Sequence, residues 1–274
     1  MGILNLCSNA FYRARSSRRY DLPDDEIKQS LNYVWINKHP FESRDNELCG
    51  VPLKYLDRAI ANANRYPHTK VNIWLDFDLL DASSLFFVAS HSYLFGDNSL
   101  NITIRNLHEI PKYRKDQVFQ PKGEELTDIW ARVDYARLLV LRHVLKHDDV
   151  TDAFYSDFDV KDTNIQCDHV KACMNKYGLI FGGVKNGQRE NGFLGFRSDE
   201  PTDFLERLIK TTRKMAKQGD DGFGVYSNAI RRWEKITRAQ HYYALNKVLD
   251  RCGEVIPNND LYIETKINRD ISFR

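Results

Sequence analysis

Apolar residues fall in short runs of two kinds, and the two kinds alternate along the chain. Residues 31–37, 71–76 and 101–105 are rich in β-branched and aromatic side chains and predict buried strands. Between them, residues 52–66 and 83–92 predict helices. Residues 126–146 form the clearest helix: Ile129, Val133, Ala136, Val140 and Val144 mark one face, and Leu138, Leu139, Leu141 and Leu145 broaden it, so the helix is largely buried. A strand then runs into residues 155–160, followed by a helix at 169–176 and a strand at 178–184. A polar turn at 188–191 leads into a strand at 192–196, and helices follow at 201–218 and 225–244. Pro23 with the acids at 24–26 predicts an early helix start, and residues 261–274 begin strand-like and end polar. The alternation predicts an α/β fold with a mostly parallel sheet flanked by helices.

Bulk properties narrow the classes. With 274 residues and a formal net charge of +2, the chain can bury an ample core and carries no overall bias toward nucleic acid. No stretch approaches the roughly 18 apolar residues of a membrane span. Five scattered cysteines without a C-x-x-C pair argue against a zinc ribbon or a disulfide framework and fit reduced thiols in a cytoplasmic setting. Residues 1–29 form a basic leader, expected to be mobile, and residues 30–274 a single domain. Gly2, Cys7 and the arginines at 13, 15, 18 and 19 would suit a lipid anchor, but Leu6 stands where the acylation pattern wants Ser or Thr, so membrane association has weak support.

The most informative segment is Tyr155-Ser156-Asp157-Phe158-Asp159-Val160. In an extended chain, Asp157, Asp159 and Tyr155 share one face while Phe154, Ser156 and Phe158 share the other. Paired carboxylates repel unless a positive group lies between them, and a hard divalent cation that also holds a diphosphate meets that need. A bare D-x-D is more often a pair of solvated turn residues, so the surroundings decide. Asp134 and Arg137 lie three apart on the buried helix, where they either pair with each other or reach a polar ligand. No Gly-x-Ser-x-Gly elbow, P-loop or His-Glu-x-x-His motif occurs, and the eight histidines stand as separate packing or surface residues. Lys112, Arg114 and Lys115 make a basic loop.

Taken in order, these motifs resemble the GT-A glycosyltransferases of the bacterial toxin and effector kind, including the large clostridial glucosylating toxins and the NleB/SseK arginine N-acetylglucosaminyltransferases. The resemblance spans roughly residues 31–273 as ordered motifs. It implies a GT-A (Rossmann-like) fold with a C-terminal lid, and a metal-dependent retaining transferase that moves N-acetylglucosamine or glucose from a UDP-sugar to a host protein side chain. It further implies Mn²⁺ or Mg²⁺ and delivery into a host cytosol. Trp35 would stack on the base, Asp134 and Arg137 would grip the sugar, and Asn191 and Asp157 would also contact the donor. Asp157, Asp159, Asp270 and Ser272 would hold the metal, with Glu190, Tyr155 and Asp134 as catalytic groups. Arg189 replaces the family's histidine before Glu190-Asn191, which puts the arginine acceptor in doubt, and where the family's lid has a tryptophan after Asp270-Ile271-Ser272, Phe273 or Arg274 would substitute. The alternatives are a glycan or lipid acceptor, or a non-catalytic nucleotide-sugar-binding scaffold.

Overall fold

The structure, a computed structural model, describes residues 27–37, 47–91, 101–119, 129–158, 160, 163–183, 189–198 and 202–218. The leader before residue 27, the helix expected at 225–244 and the tail at 261–274 lie outside the described residues, as do Asp159, Asp270 and Ser272.

Strands β1 (Gln29–Trp35), β2 (Glu47–Leu48), β3 (Val51–Pro52), β4 (Lys70–Leu75), β5 (Ile102–Asn106), β6 (Asp152–Ser156), β7 (Leu179–Gly183) and β8 (Arg189–Arg197) alternate with helices. The helices are α1 (Leu53–Arg65), α2 (Ala82–His91), α3 (Pro111–Lys115), α4 (Ile129–His147), α5 (Asp168–Tyr177) and α6 (Thr202–Lys217). Six of the described strands form one sheet in the order β5-β4-β1-β6-β8-β7, and β2 pairs with β3. The run β5-β4-β1-β6 is parallel, whereas β8 pairs antiparallel with β6 and with β7. The expected mixed, mostly parallel sheet is therefore present, with an antiparallel margin.

Both faces of the central strands are covered, which is why they carry apolar residues on both sides. On one face Tyr33 accepts a hydrogen bond from Asn62 Nδ2 of α1 at 2.9 Å. On the other, α4 packs against β1, β6 and β8 and is itself backed by α6. The broad apolar surface of α4 buries Ala131, Ala136, Leu138, Leu139, Val140, Leu141 and Val144. Polar residues on the α4 side of the sheet satisfy one another: Asn32 Oδ1 accepts from Asn72 Nδ2 at 2.9 Å and from Trp74 Nε1 at 3.1 Å.

Two local readings are corrected. Residues 189–191, expected in a polar turn, open β8, with Gly183 opposite Arg189 and Gly182 opposite Glu190. A register irregularity between Phe181 and Gly182 accompanies this, and such an irregularity breaks the alternation that would mark a strand in the sequence. Lys112, Arg114 and Lys115 lie in the short helix α3, opened by Pro111 at its first position.

Candidate functional site

The strand order reverses at β1. The chain builds β4 and β5 to one side and returns to place β6 on the other, which leaves a crevice outside the carboxyl ends of β1 and β6. Open α/β sheets bind their ligands at such a switch point. Trp35 ends β1, and Tyr155 and Ser156 end β6 with Asp157 immediately beyond, so the topology delivers the sequence candidates to this crevice.

Asp134, Arg137, Tyr155 and Asp157 meet there. Arg137 Nη2 lies 2.9 Å from Asp134 Oδ1, and Nη1 lies 3.4 Å from Asp157 Oδ1. The guanidinium carbon sits 4.6 Å over the Tyr155 ring, a cation–π contact. Tyr155 donates its hydroxyl to Asp157 Oδ1. Burial drives the Tyr155 hydroxyl well above the ordinary tyrosine value; the Arg137 charge opposes that and Asp157 adds to it, so the phenol stays protonated and acts as a donor. The side chains of Arg137 and Asp134 are 5 % and 7 % exposed, whereas that of Asp157 is 32 % exposed. One guanidinium between two carboxylates leaves a net negative charge, and Asp157 is the member open to solvent or ligand.

Phe158, the middle residue of the D-x-D, anchors the turn. It stacks on Tyr33 with ring centroids 4.8 Å apart and meets the edge of Trp35 at 6.0 Å. Tyr55 completes the aromatic group, 6.1 Å from Trp35. The turn itself is fixed by Asp157 N–H donating to the Gly192 carbonyl at 2.7 Å and Val160 N–H donating to the Asp157 carbonyl at 3.2 Å. Because β8 runs antiparallel to β6, with Phe193 opposite Ser156, the backbone of Glu190 and Asn191 passes beyond the end of β6 beside this turn. Of Arg189, Glu190 and Asn191 the backbone alone is described.

A second acidic group escaped the sequence reading. Asp76-Phe77-Asp78 also follows a strand, β4, and His108, treated above as an isolated histidine, lies against both carboxylates. His108 Nε2 is 3.2 Å from Asp76 Oδ1, and Nδ1 is 3.5 Å from Asp78 Oδ2. One ligand atom from each of the three lies within 4.8 Å of the others, the geometry of a possible metal group. Asp76 has other duties as well: it caps the turn Phe77–Leu79 through Asp78 N–H at 3.1 Å and accepts the Tyr113 hydroxyl at 2.7 Å. The D-x-D spelling at 76–78 was the available signal; the approach of His108 is tertiary.

No protein-family model and no curated protein sequence matches this chain. Solved structures do match in shape. A structure described only as a transferase shares 14 % identity, with 81 % of this chain and 89 % of that one covered at a TM-score of 0.51. The bacterial N-acetylglucosamine transferase NleB shares 14 % identity over 85 % of this chain and 95 % of its own, TM-score 0.48. Mouse xyloside xylosyltransferase 1 shares 10 % over 77 % and 83 %, TM-score 0.43. At such identities the likeness is one of fold. The chain has a GT-A-like fold: a six-stranded, mostly parallel mixed sheet flanked by helices.

Proposed function

We propose that this chain is a glycosyltransferase that moves a sugar from a UDP-sugar to an acceptor with the help of a divalent cation. The observation that carries the reading is the Asp134–Arg137–Tyr155–Asp157 cluster at the switch-point crevice beside Trp35. A nucleotide-sugar needs a flat aromatic face for its base, donors and acceptors for its hydroxyls, and carboxylates for a cation at its diphosphate; these residues supply all three.

The fit of a cation rests on charge. The cluster is net negative and its open member, Asp157, has both described contacts on the same oxygen, Oδ1. Asp157, with Asp159, Asp270 and Ser272, would hold Mn²⁺ or Mg²⁺. A bound cation offsets the negative charge that develops on a leaving diphosphate. The chain's own residues do the rest. Trp35 stacks on the base. Asp134 accepts from sugar hydroxyls while Arg137 fixes its orientation. Tyr155, held protonated, steadies the Asp157 carboxylate. Asn191 contributes to the donor site, and Glu190 orients or deprotonates the acceptor. The transfer proceeds with retention, N-acetylglucosamine or glucose is the sugar, and a protein side chain is the acceptor; the family resemblance supports each of these. In the same reading the chain works as an effector in a host cytosol.

One observation favours a second place for the cation, the Asp76–Asp78–His108 group. The test is UDP release from a panel of UDP-sugars with Mn²⁺, comparing wild type with the Asp157→Ala, Asp159→Ala double variant and with Asp78→Asn. Turnover lost in the double variant and on chelation supports the proposal. An active double variant overturns the assignment of the metal, and absence of UDP binding by calorimetry overturns the glycosyltransferase reading.

A further inference from the structure

The indole of Trp35 is held from behind. Its Nε1–H donates to Asn37 Oδ1 at 2.9 Å, and Asn37 Nδ2 in turn donates to the Cys49 carbonyl at 3.4 Å. That carbonyl belongs to the two-residue turn, Cys49-Gly50, joining β2 to β3. Cys49 has φ 54° and Gly50 φ 80°. Two successive left-handed residues are the turn a tight hairpin requires, but Asn, Asp or Gly ordinarily occupies both positions. A cysteine there is a strained choice. Its surroundings hold it: Cys49 is buried, and its thiol donates to the Ser84 carbonyl of α2 at 3.9 Å.

A hairpin with two residues per strand has no stability of its own, and among the described residues it joins no strand of the six-stranded sheet. Its turn does one visible thing. Gly50 lies so close to Asn37 that a β-carbon at position 50 would collide with the Asn37 amide oxygen, nitrogen and carbon. The glycine therefore leaves the amide room to lie against the turn, and there it takes up the hydrogen-bond donor of the Trp35 side chain. With its N–H engaged and its ring braced by Tyr55 and Phe158, the indole offers a ligand its aromatic face and no polar contact.

We infer that the Cys49-Gly50 turn is a clamp, with Asn37 as the positioning residue that fixes the Trp35 ring to receive a flat nucleobase by stacking alone. The inference rests on the reading of Trp35 as the base-stacking residue. Freed from Asn37, the ring can rotate about its side-chain bonds, and an ordering cost falls on binding.

The test uses UDP with Mn²⁺, titrated calorimetrically into the full chain. Asn37→Ala is expected to weaken UDP binding about tenfold, within the range a stacked base contributes. Gly50→Ala, which pushes the amide away, is expected to weaken it in the same direction. Trp35→Phe has no N–H to hold, so adding Asn37→Ala to it should bring no further loss. A second readout needs no nucleotide: the indole N–H resonance of Trp35, identified by its disappearance in Trp35→Phe, should shift and exchange faster in folded Asn37→Ala. Losses that simply add in the double variant, an unchanged affinity in Asn37→Ala, or an unmoved indole resonance would each overturn the clamp while leaving the base site intact. Failure of the wild type to bind UDP, or wild-type affinity in Trp35→Ala, overturns the stacking reading itself and the clamp with it.

Discussion

Arg137 Nη1 stands 3.4 Å from Asp157 Oδ1, so a buried helix residue touches a solvent-accessible carboxylate of the crevice. The same guanidinium holds Asp134 at 2.9 Å and covers Tyr155. Arg137→Lys keeps the charge but loses the planar fork that spans both carboxylates. On the proposed activity, we expect it to lower kcat/KM for UDP release by about 10²-fold, the effect of misplacing a positioned group by roughly an ångström. Arg137→Met leaves Asp134 buried without its cation and should lower stability by about 3–5 kcal/mol in urea unfolding. Equal activity in Arg137→Lys and wild type would remove this residue from the site.

A second buried pair separates stability from function. Arg197 grips Asp152 through Nε at 2.7 Å and Nη2 at 2.9 Å, at the opposite end of β6 from Asp157. Arg197 Nη1 also donates to Asn175 of α5 at 2.9 Å, tying that helix to the sheet. Asp152→Ala removes the partner of a fully buried guanidinium and is expected to cost about 3–5 kcal/mol. Below its lowered melting temperature it should bind UDP as the wild type does. A large loss of UDP affinity in the folded variant would show the two ends of β6 to be coupled.

Acid should weaken the fold through His143. Burial against Trp74, followed by the nearby charges of Arg105 and His147, lowers its pKa from the ordinary 6.5, and Asp148 and Glu109 oppose that only in part. The folded value lies below the unfolded one, so the unfolded chain binds the proton first. The associated stability is fully present above about pH 6.5 and is lost as the pH falls through the folded value. Urea unfolding between pH 7.5 and 5 should show the decline, and His143→Gln should flatten part of it. An equally steep decline in the variant would assign the effect to another group.

The parallel half of the fold was legible because local chemistry carried it. Leu31 to Trp35 and Val71 to Leu75 carry apolar residues on both faces, broken only by the mutually bonded Asn32 and Asn72, since helices cover both, and α4 declares itself by length and by apolar residues around most of its surface. Phe158 was legible as a core residue for the same reason: alternation around the D-x-D put it opposite Asp157, and it packs against Tyr33. The antiparallel margin was not. Arg189 and Glu190 look like turn residues because nothing local reveals that Gly183 and Gly182 lie across from them. The cluster of Asp134, Arg137, Tyr155 and Asp157 was visible as two motifs, but their junction depends on α4 packing beneath the end of β6. The hairpin of β2 and β3 has too few residues to leave any periodicity, so the relation of Asn37 to Gly50 appears only in three dimensions.

The two D-x-D segments should differ in what they do with a cation. Asp76 is already occupied: it takes the Tyr113 hydroxyl, the Asp78 N–H and the approach of His108, and burial raises Tyr113 well above its ordinary value, so that phenol stays a donor. The Tyr113 and His108 contacts, which would have to yield to a metal at Asp76, also hold the end of β4 to the segments after β5. Asp157, by contrast, is more open, keeps its Arg137 and Tyr155 contacts on the single oxygen Oδ1, and has its backbone anchored in the turn. We therefore expect Asp78→Asn, at a side chain 75 % exposed, to leave the Mn²⁺ concentration for half-maximal UDP release unchanged. Asp157→Asn should raise that concentration at least tenfold. Asp76→Asn should destabilise the fold by about 1–3 kcal/mol, because a buried acceptor of several donors is altered. The reverse pattern, a Mn²⁺ requirement shifted by Asp78→Asn and not by Asp157→Asn, would move the cation to the end of β4, roughly 9–10 Å away across two strand spacings.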